Sequence, residues 1–543
     1  MSEARGHATR PNIILILADD MGYSDIGCYG SEIETPNLDG LAAGGLRFSQ
    51  MYNYARCCPT RASLLTGLHP HQAGVGQMTA DLGVAPYQGF LNQNCVTIAE
   101  ALKPSGYQTL MSGKWHVGGD VHGLANPLAV QGDERHPRPV DRGFDHYWGA
   151  MGANYFHPAR IAIDDRIEGP PEGDFYLTDG ITDNAIRQVT EAQAQDSPFF
   201  IHVAYFSPHW PLQALPEDIE KYRGKYRGGW GNLRTSRHEQ QKGSGLLDSK
   251  WEISPRDAQA PDWEEEVTEK EWEAARMAVY AAQVDRMDQG IGRIVANLRE
   301  LDILDNTLIF FLSDNGGCAE FLGEDGPSEI PNSTTPDGRT VRVGNSPDIE
   351  PGSDETYASY DLPWANASDT PFRMYKHWVH EGGISTPLIV HWPDAVAGGR
   401  LSHAPAHIMD IMSTCLDAAG GEYPLQHGGH DITPTEGASL LPAFQDLAWR
   451  RPDPLCWEHE GNAAVRLGDW KLVKDRAGDW ELYELNEDRT ELNDLAATNP
   501  ERMAELTGIY ADFVQRCGII SWDEQYERLK GRFNLLDYPG SRY

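Results

Sequence analysis

Two stretches, Ile13-Ile14-Leu15-Ile16-Leu17-Ala18 and Leu308-Ile309-Phe310-Phe311-Leu312, are apolar at every position, and each stops abruptly at acidic residues. A strand with one wet face alternates; a strand with none suits a parallel sheet covered on both sides by helices. These runs therefore point to an α/β fold. The first ends in Asp19-Asp20 and the second in Asp314-Asn315-Gly316-Gly317. In open α/β sheets the carboxyl ends of the strands are where ligands sit. Adjacent carboxylates there are costly to bury unless they are well paired or bind a cation. Asp19, Asp20, Asp314 and Asn315 form an all-oxygen set, which suits Ca²⁺ or Mg²⁺ rather than zinc, and their flexible geometry favours Ca²⁺.

Further runs extend the sheet: Tyr107–Ser112, Pro198–Phe206 and Pro387–Pro393. Met277, Tyr280, Val284, Met287, Ile291, Ile294 and Leu298 recur at spacings of three and four, predicting a long helix that packs on the sheet. A chain of 543 residues exceeds a single core, and the texture changes near residue 400. Residues 1–400 are expected to form the large domain, with polar insertions at about 215–266 and 318–370. Residues 401–543 form a smaller one, where AAVRLGDWKLVK and DWELYELNED predict an antiparallel meander and a helix follows from about Pro500 to Cys517. The first insertion, Gly-rich and irregular, reads as either a wall of the pocket or a partly ordered excursion, and is expected to shape substrate choice.

The formal charge of -36 disfavours nucleic acid or an anionic membrane surface as partner, so an anionic ligand needs local positive charge. The eight cysteines are scattered, as reduced thiols are. The polar start MSEARGHATRPN lacks a signal-type apolar segment and no run spans a membrane, so a cytoplasmic protein is expected.

In Cys57-Cys58-Pro59-Thr60-Arg61, Pro59 suits the first helical position, which places Cys57 just ahead of a helix N-terminus that favours an anion. In Gly113-Lys114-Trp115-His116 an extended backbone would put Lys114 and His116 on one face. His209 lies at the end of its apolar run, whereas His202 lies inside it as a core residue; His69 and His71 read as structural.

The run CCPTRASLLTG resembles the signature of type I, formylglycine-dependent sulfatases, the bacterial arylsulfatase-like group of the alkaline phosphatase-like superfamily. Cys57 is in register, because Pro59 and Arg61 follow at two and four residues, while Cys58 would need proline where Thr60 stands. The paired aspartates, GKWH, SPH, DNGG and Tyr375-Lys376 with HEGG extend the resemblance from residue 12 to 390. It implies a large mixed, mostly parallel sheet flanked by helices, with a smaller C-terminal antiparallel sheet and helix. It further implies that a maturation enzyme oxidises Cys57 to formylglycine, whose hydrate attacks a sulfate monoester, aryl esters first among them, and forms a sulfoenzyme. The metal would be held by Asp19, Asp20, Asp314, Asn315 and the modified Cys57. Arg61 would orient the hydrate, Lys114 neutralise sulfuryl oxygens, His116 act as base, and His209 and Lys376 assist the leaving group. Two alternatives accompany this reading: a formylglycine-dependent phosphonate monoester or phosphodiester hydrolase, and a catalytically silent sulfatase-like binding protein. Oligomeric state is not encoded in any of these residues.

Overall fold

The computed structural model describes residues 10–118, 136–151, 154–171, 173–195, 197–323 and 334–530. Eight strands open the chain's sheet: β1 (Asn12–Asp19), β2 (Leu46–Tyr52), β3 (Gln108–Gly113), β4 (His146–Met151), β5 (Arg160–Ile163), β6 (Arg166–Glu168), β7 (Phe199–Pro208) and β8 (Thr307–Ser313). The strands Ser385–His391, Arg400–Ser402 and Ala406–His407 complete an 11-stranded sheet. Its order is Arg400–Ser402, β2, Ser385–His391, β8, β1, β7, β3, β4, β5, β6, with Ala406–His407 also paired to β2. The central strands β8, β1, β7, β3 and β4 are parallel, and antiparallel pairs flank them.

β1 is buried at all eight positions, as its sequence predicts. Its side chains alternate, Ile13, Leu15 and Leu17 entering one core and Ile14 and Ile16 the other. The helix Lys270–Glu300 packs in the second core with the apolar stripe expected of it. Register then decides where the polar ends fall. Ala18 pairs with Ser313 and Asp19 with Pro208, so three strand ends reach one edge of the sheet together.

The C-terminal part carries the expected meander, Leu455–His459, Asn462–Leu467, Trp470–Lys474 and Glu481–Glu484. The helix Pro500–Cys517 sets Leu506, Phe513 and Cys517 against Val465, Leu472 and Leu482.

The stretch 215–266 departs from expectation. It contains helices Pro216–Tyr222 and Gly229–Gly243. Its tryptophans are core: Trp230 lies 4.7 Å from Trp263 and 5.3 Å from Trp364, ring to ring, and all three are buried. The second insertion holds a short helix, Asp361–Ser368; residues 324–333 of it lie outside the described residues.

Candidate active site

The helix Cys57–Thr66 begins two residues earlier than Pro59 suggests, and its N-cap is Arg56 in an extended conformation. Cys57 thus sits inside the first turn, where helical N–H groups lack partners. The preceding turn is tied down by the Tyr54 N–H, which donates to Thr60 Oγ1 at 2.9 Å. The whole helix is buried, and Cys57 is 2% exposed. The Cys58 thiol, then His116 and Lys114, outweigh burial and hold the Cys57 thiol well below its usual range.

Lys114 and His116 do converge on this place, but not along an extended strand. β3 ends at Gly113, whose φ of 119° and close approach to the Ala204 carbonyl exclude a side chain. His116 is left-handed, with φ 61°. This turn brings a His116 ring nitrogen within 4.8 Å of the Cys57 and Cys58 sulfurs. It sends Trp115 into the protein, where Nε1 donates to the Pro137 carbonyl at 2.9 Å. The Lys114 ammonium lies 2.5 Å from Asp19 Oδ2 and 5.1 Å from the centre of the Phe206 ring.

The four oxygen-bearing residues meet at the sheet edge, all at most 1% exposed. Arg61 donates from Nε (3.0 Å) and Nη2 (2.7 Å) to Asp314 Oδ2, and from Nη1 to the Lys114 carbonyl at 3.0 Å. Asp20, at φ 64°, receives Asn315 Nδ2 on Oδ1 at 2.6 Å and the Lys376 ammonium on Oδ2 at 2.9 Å. Burial raises Asp19, yet Lys114 and Arg61 overcome it and leave this carboxyl below the usual range. Burial and the neighbouring Asp19 push Asp314 well up. Two buried oxygens, Asp19 Oδ1 and Asn315 Oδ1, accept no hydrogen bond from any described residue. Such orphans are costly in a dry site, and a hard cation would satisfy them. The donor set fits the one divalent ion expected from the sequence.

His209 follows β7, 9% exposed, with Nδ1 donating to the Trp210 carbonyl at 2.6 Å and Nε2 lying 3.5 Å from Asp20 Oδ2. Burial lowers its pKa despite Asp20 and Asp19. Arg61, Lys114, His209 and Lys376 thus border the acidic cluster directly, while His116 reaches it only by way of Cys57. His202 is a core residue as expected: Nδ1 faces the Leu15 carbonyl at 3.2 Å, and burial brings its pKa to about 3. His71 is likewise structural, 2.9 Å from Glu458.

Sequence reasoning missed Glu320 and Arg56. Glu320 accepts from Arg56 Nη2 (3.3 Å) and Trp210 Nε1 (2.8 Å) and lies 3.7 Å from the Lys376 ammonium. Lys376 and Arg56 bring its carboxyl down to about 2 against the effect of burial. No periodicity or motif spacing marks either residue; their meeting joins the N-cap of a helix to a loop 264 positions away.

With the geometry in place, its likeness to known proteins is informative. The sulfatase family matches residues 11–421, and the family of N-sulphoglucosamine sulphohydrolase C-terminal regions matches 372–507. An uncharacterised sulfatase of Schizosaccharomyces pombe is 31% identical over 557 residues, covering 96% of either chain. The arylsulfatase of Klebsiella aerogenes is 32% identical over 452 residues, covering 79% of this chain and 91% of that one. Among solved structures, Ps i-CgsB in complex with k-i-k-neocarrahexaose superposes with a TM-score of 0.65 at 24% identity, covering 96% of this chain and 100% of that one, which supports the fold. The chain belongs to the sulfatase family of sulfuric ester hydrolases, whose members generally use a metal ion and a formylglycine.

Proposed function

We propose that this protein hydrolyses small sulfate monoesters, aryl sulfates first among them, with residue 57 as nucleophile after a maturation enzyme has oxidised Cys57 to formylglycine. The observation that carries the reading is a buried helix start at which Cys57, Arg61, Lys114 and His116 converge beside two orphaned oxygen ligands. Aryl substrates are favoured by the name of the Klebsiella relative.

Asp19, Asp20, Asp314, Asn315 and the oxidised residue 57 would hold a divalent ion, Ca²⁺ on this donor chemistry, which when bound supplies positive charge beside the sulfuryl oxygens and acidifies a hydroxyl of residue 57. Arg61, fixed by two bonds to Asp314, orients the side chain of residue 57 and offsets its charge. Lys114 faces the same place and neutralises sulfuryl oxygens, a role worth ~3 kcal/mol for a well-aimed group. Attack by the residue 57 hydroxyl on sulfur expels the phenol, with His209 and Lys376 at the leaving oxygen. His116 then takes the proton of the second hydroxyl, sulfate departs and the aldehyde re-forms. An ordinary serine lacks that second hydroxyl and would keep the sulfate. In this reading residues 1–400 supply the chemistry and 401–543 form the smaller domain behind it.

The experiment joins the mass of the peptide carrying residue 57 to turnover of p-nitrophenyl sulfate. Aldehyde-bearing protein should release sulfate, and Cys57→Ala should not. Turnover that persists in Cys57→Ala would remove residue 57 from the mechanism.

A further inference from the structure

His377, immediately after Lys376, meets the turn that joins strands Leu455–His459 and Asn462–Leu467 of the C-terminal sheet. Its Nδ1 lies 2.9 Å from Glu460 Oε2, and His459 Nε2 lies 3.9 Å from Glu460 Oε1. The two imidazole rings stand 5.7 Å apart at 79°. One ligand atom from each of the three residues falls within 4.8 Å of the others. Around a tetrahedral zinc with bonds of roughly 2.0–2.1 Å, ligand atoms lie about 3.3 Å apart, between the two separations observed.

An ion pair explains only part of this cluster. Glu460 is served by His377 and by Gln77 Nε2, which donates to Oε1 at 2.7 Å. His459 is different: it is fully buried, and neither ring nitrogen has a hydrogen-bond partner among the described residues. An idle imidazole beside a carboxylate costs free energy unless something takes its lone pair. Backbone strain collects here too, with φ 93° at His377 and 50° at Glu460.

We propose that His377, His459 and Glu460 form a second divalent-metal site, separate from the oxygen cluster and suited by its two imidazoles and one carboxylate to zinc. The three ligands leave a fourth tetrahedral position for water. Gln77 orients the carboxylate from behind, as outer partners of metal ligands do. A metal here clamps the segment that carries Lys376 to the C-terminal sheet. Nitrogen ligands distinguish it from the hard-cation cluster, which has none among Asp19, Asp20, Asp314 and Asn315.

The test uses the full chain in a Cys57→Ser background, so that the Cys57 cluster does not compete, stripped with chelator and then saturated with Ca²⁺. Equilibrium dialysis with Zn²⁺ should give one zinc per chain. Co²⁺ in its place should show the visible bands of a tetrahedral site without thiolate charge transfer in the near ultraviolet. His459→Gln and Glu460→Gln should each weaken zinc at least about 10-fold, since even outer partners carry that much. Absence of bound zinc, a thiolate band, or unchanged affinity in both variants would overturn the proposal. The stoichiometry and the spectrum are read without the ligand variants, so misfolding of a variant does not blunt the result.

Discussion

Glu320 joins groups that the proposed chemistry needs in fixed places. Its carboxylate holds Arg56, the N-cap of the helix that carries Cys57, and the indole of Trp210, next to His209, while facing Lys376. Glu320→Ala removes all three partners and is expected to lower kcat on p-nitrophenyl sulfate about 100-fold, the scale of a 1 Å misplacement. Glu320→Gln keeps an acceptor for Trp210 and should lose less; equal losses would mean that charge, and not the indole anchor, matters. None of this was legible beforehand, because a glutamate five residues beyond Asn315 has no signature of its own. Asp19, Asp20, Asp314 and Asn315 were legible, since all lie within two residues of the end of a buried strand. Lys114 and His116 were legible as chemistry and not as geometry. A left-handed histidine is a property of the turn, and no residue type announces it.

At the scale of elements the same contrast has a physical cause. The helix Gly229–Gly243 escaped notice because its inward stripe is polar: Arg234, Arg237, His238 and Gln241 are buried at helical spacing. Arg237 reaches Asp25 at 2.6 Å and Glu32 at 2.9 Å, and Gln241 donates to the Tyr29 and Thr370 carbonyls. Hydrophobic periodicity cannot report a face that buries guanidinium and amide groups. The strands of the meander were read correctly because Gly-Asp turns separate short strand-like runs, even though strands such as Leu455–His459 are buried at every position. The meander shares an apolar core with the large sheet through Leu455, Trp457, Ala464 and Val473, and a buried polar cluster adds to that junction. Lys471, fully buried, lies 2.9 Å from Glu381 and 2.8 Å from Glu491, and Arg489 lies 3.2 Å from Glu381, just ahead of the strand Ser385–His391. Lys471→Met removes the cation shared by two buried carboxylates, leaving Glu381 with Arg489 but Glu491 without its nearest cation, and should destabilise the protein by about 3 kcal/mol. The double variant Lys471→Met with Glu491→Gln should recover part of that loss in urea unfolding. A double variant as weak as the single one would show that Glu381, not Glu491, dominates the cost.

For the molecule as a whole, a charge of -36 sets the far field against an anionic substrate. Recognition is therefore local: Arg61, Lys114 and Lys376 sit at one edge of one sheet, each already beside a carboxylate. The same burial that makes this edge dry makes the fold sensitive to acid through its core histidines. His202, in the middle of β7, is the clearest case, because its pKa is brought from 6.5 to about 3 by burial first and Arg61 second. The folded protein keeps this ring neutral, while the unfolded chain takes up a proton below 6.5. Stability from His202 is thus complete above that pH and is lost progressively as pH falls from 6.5 toward 3. Between pH 7 and pH 5 the loss amounts to about 2 kcal/mol for one such residue. His202→Leu removes the titrating group from a strand whose backbone pairing on both sides is independent of it. Unfolding free energies measured in urea at pH 7 and pH 5 should therefore differ less in this variant than in the parent, by about 2 kcal/mol. An identical pH dependence would mean that the folded protein protonates His202 as readily as the unfolded chain does, which a ring enclosed between β1 and β3 has no water to support.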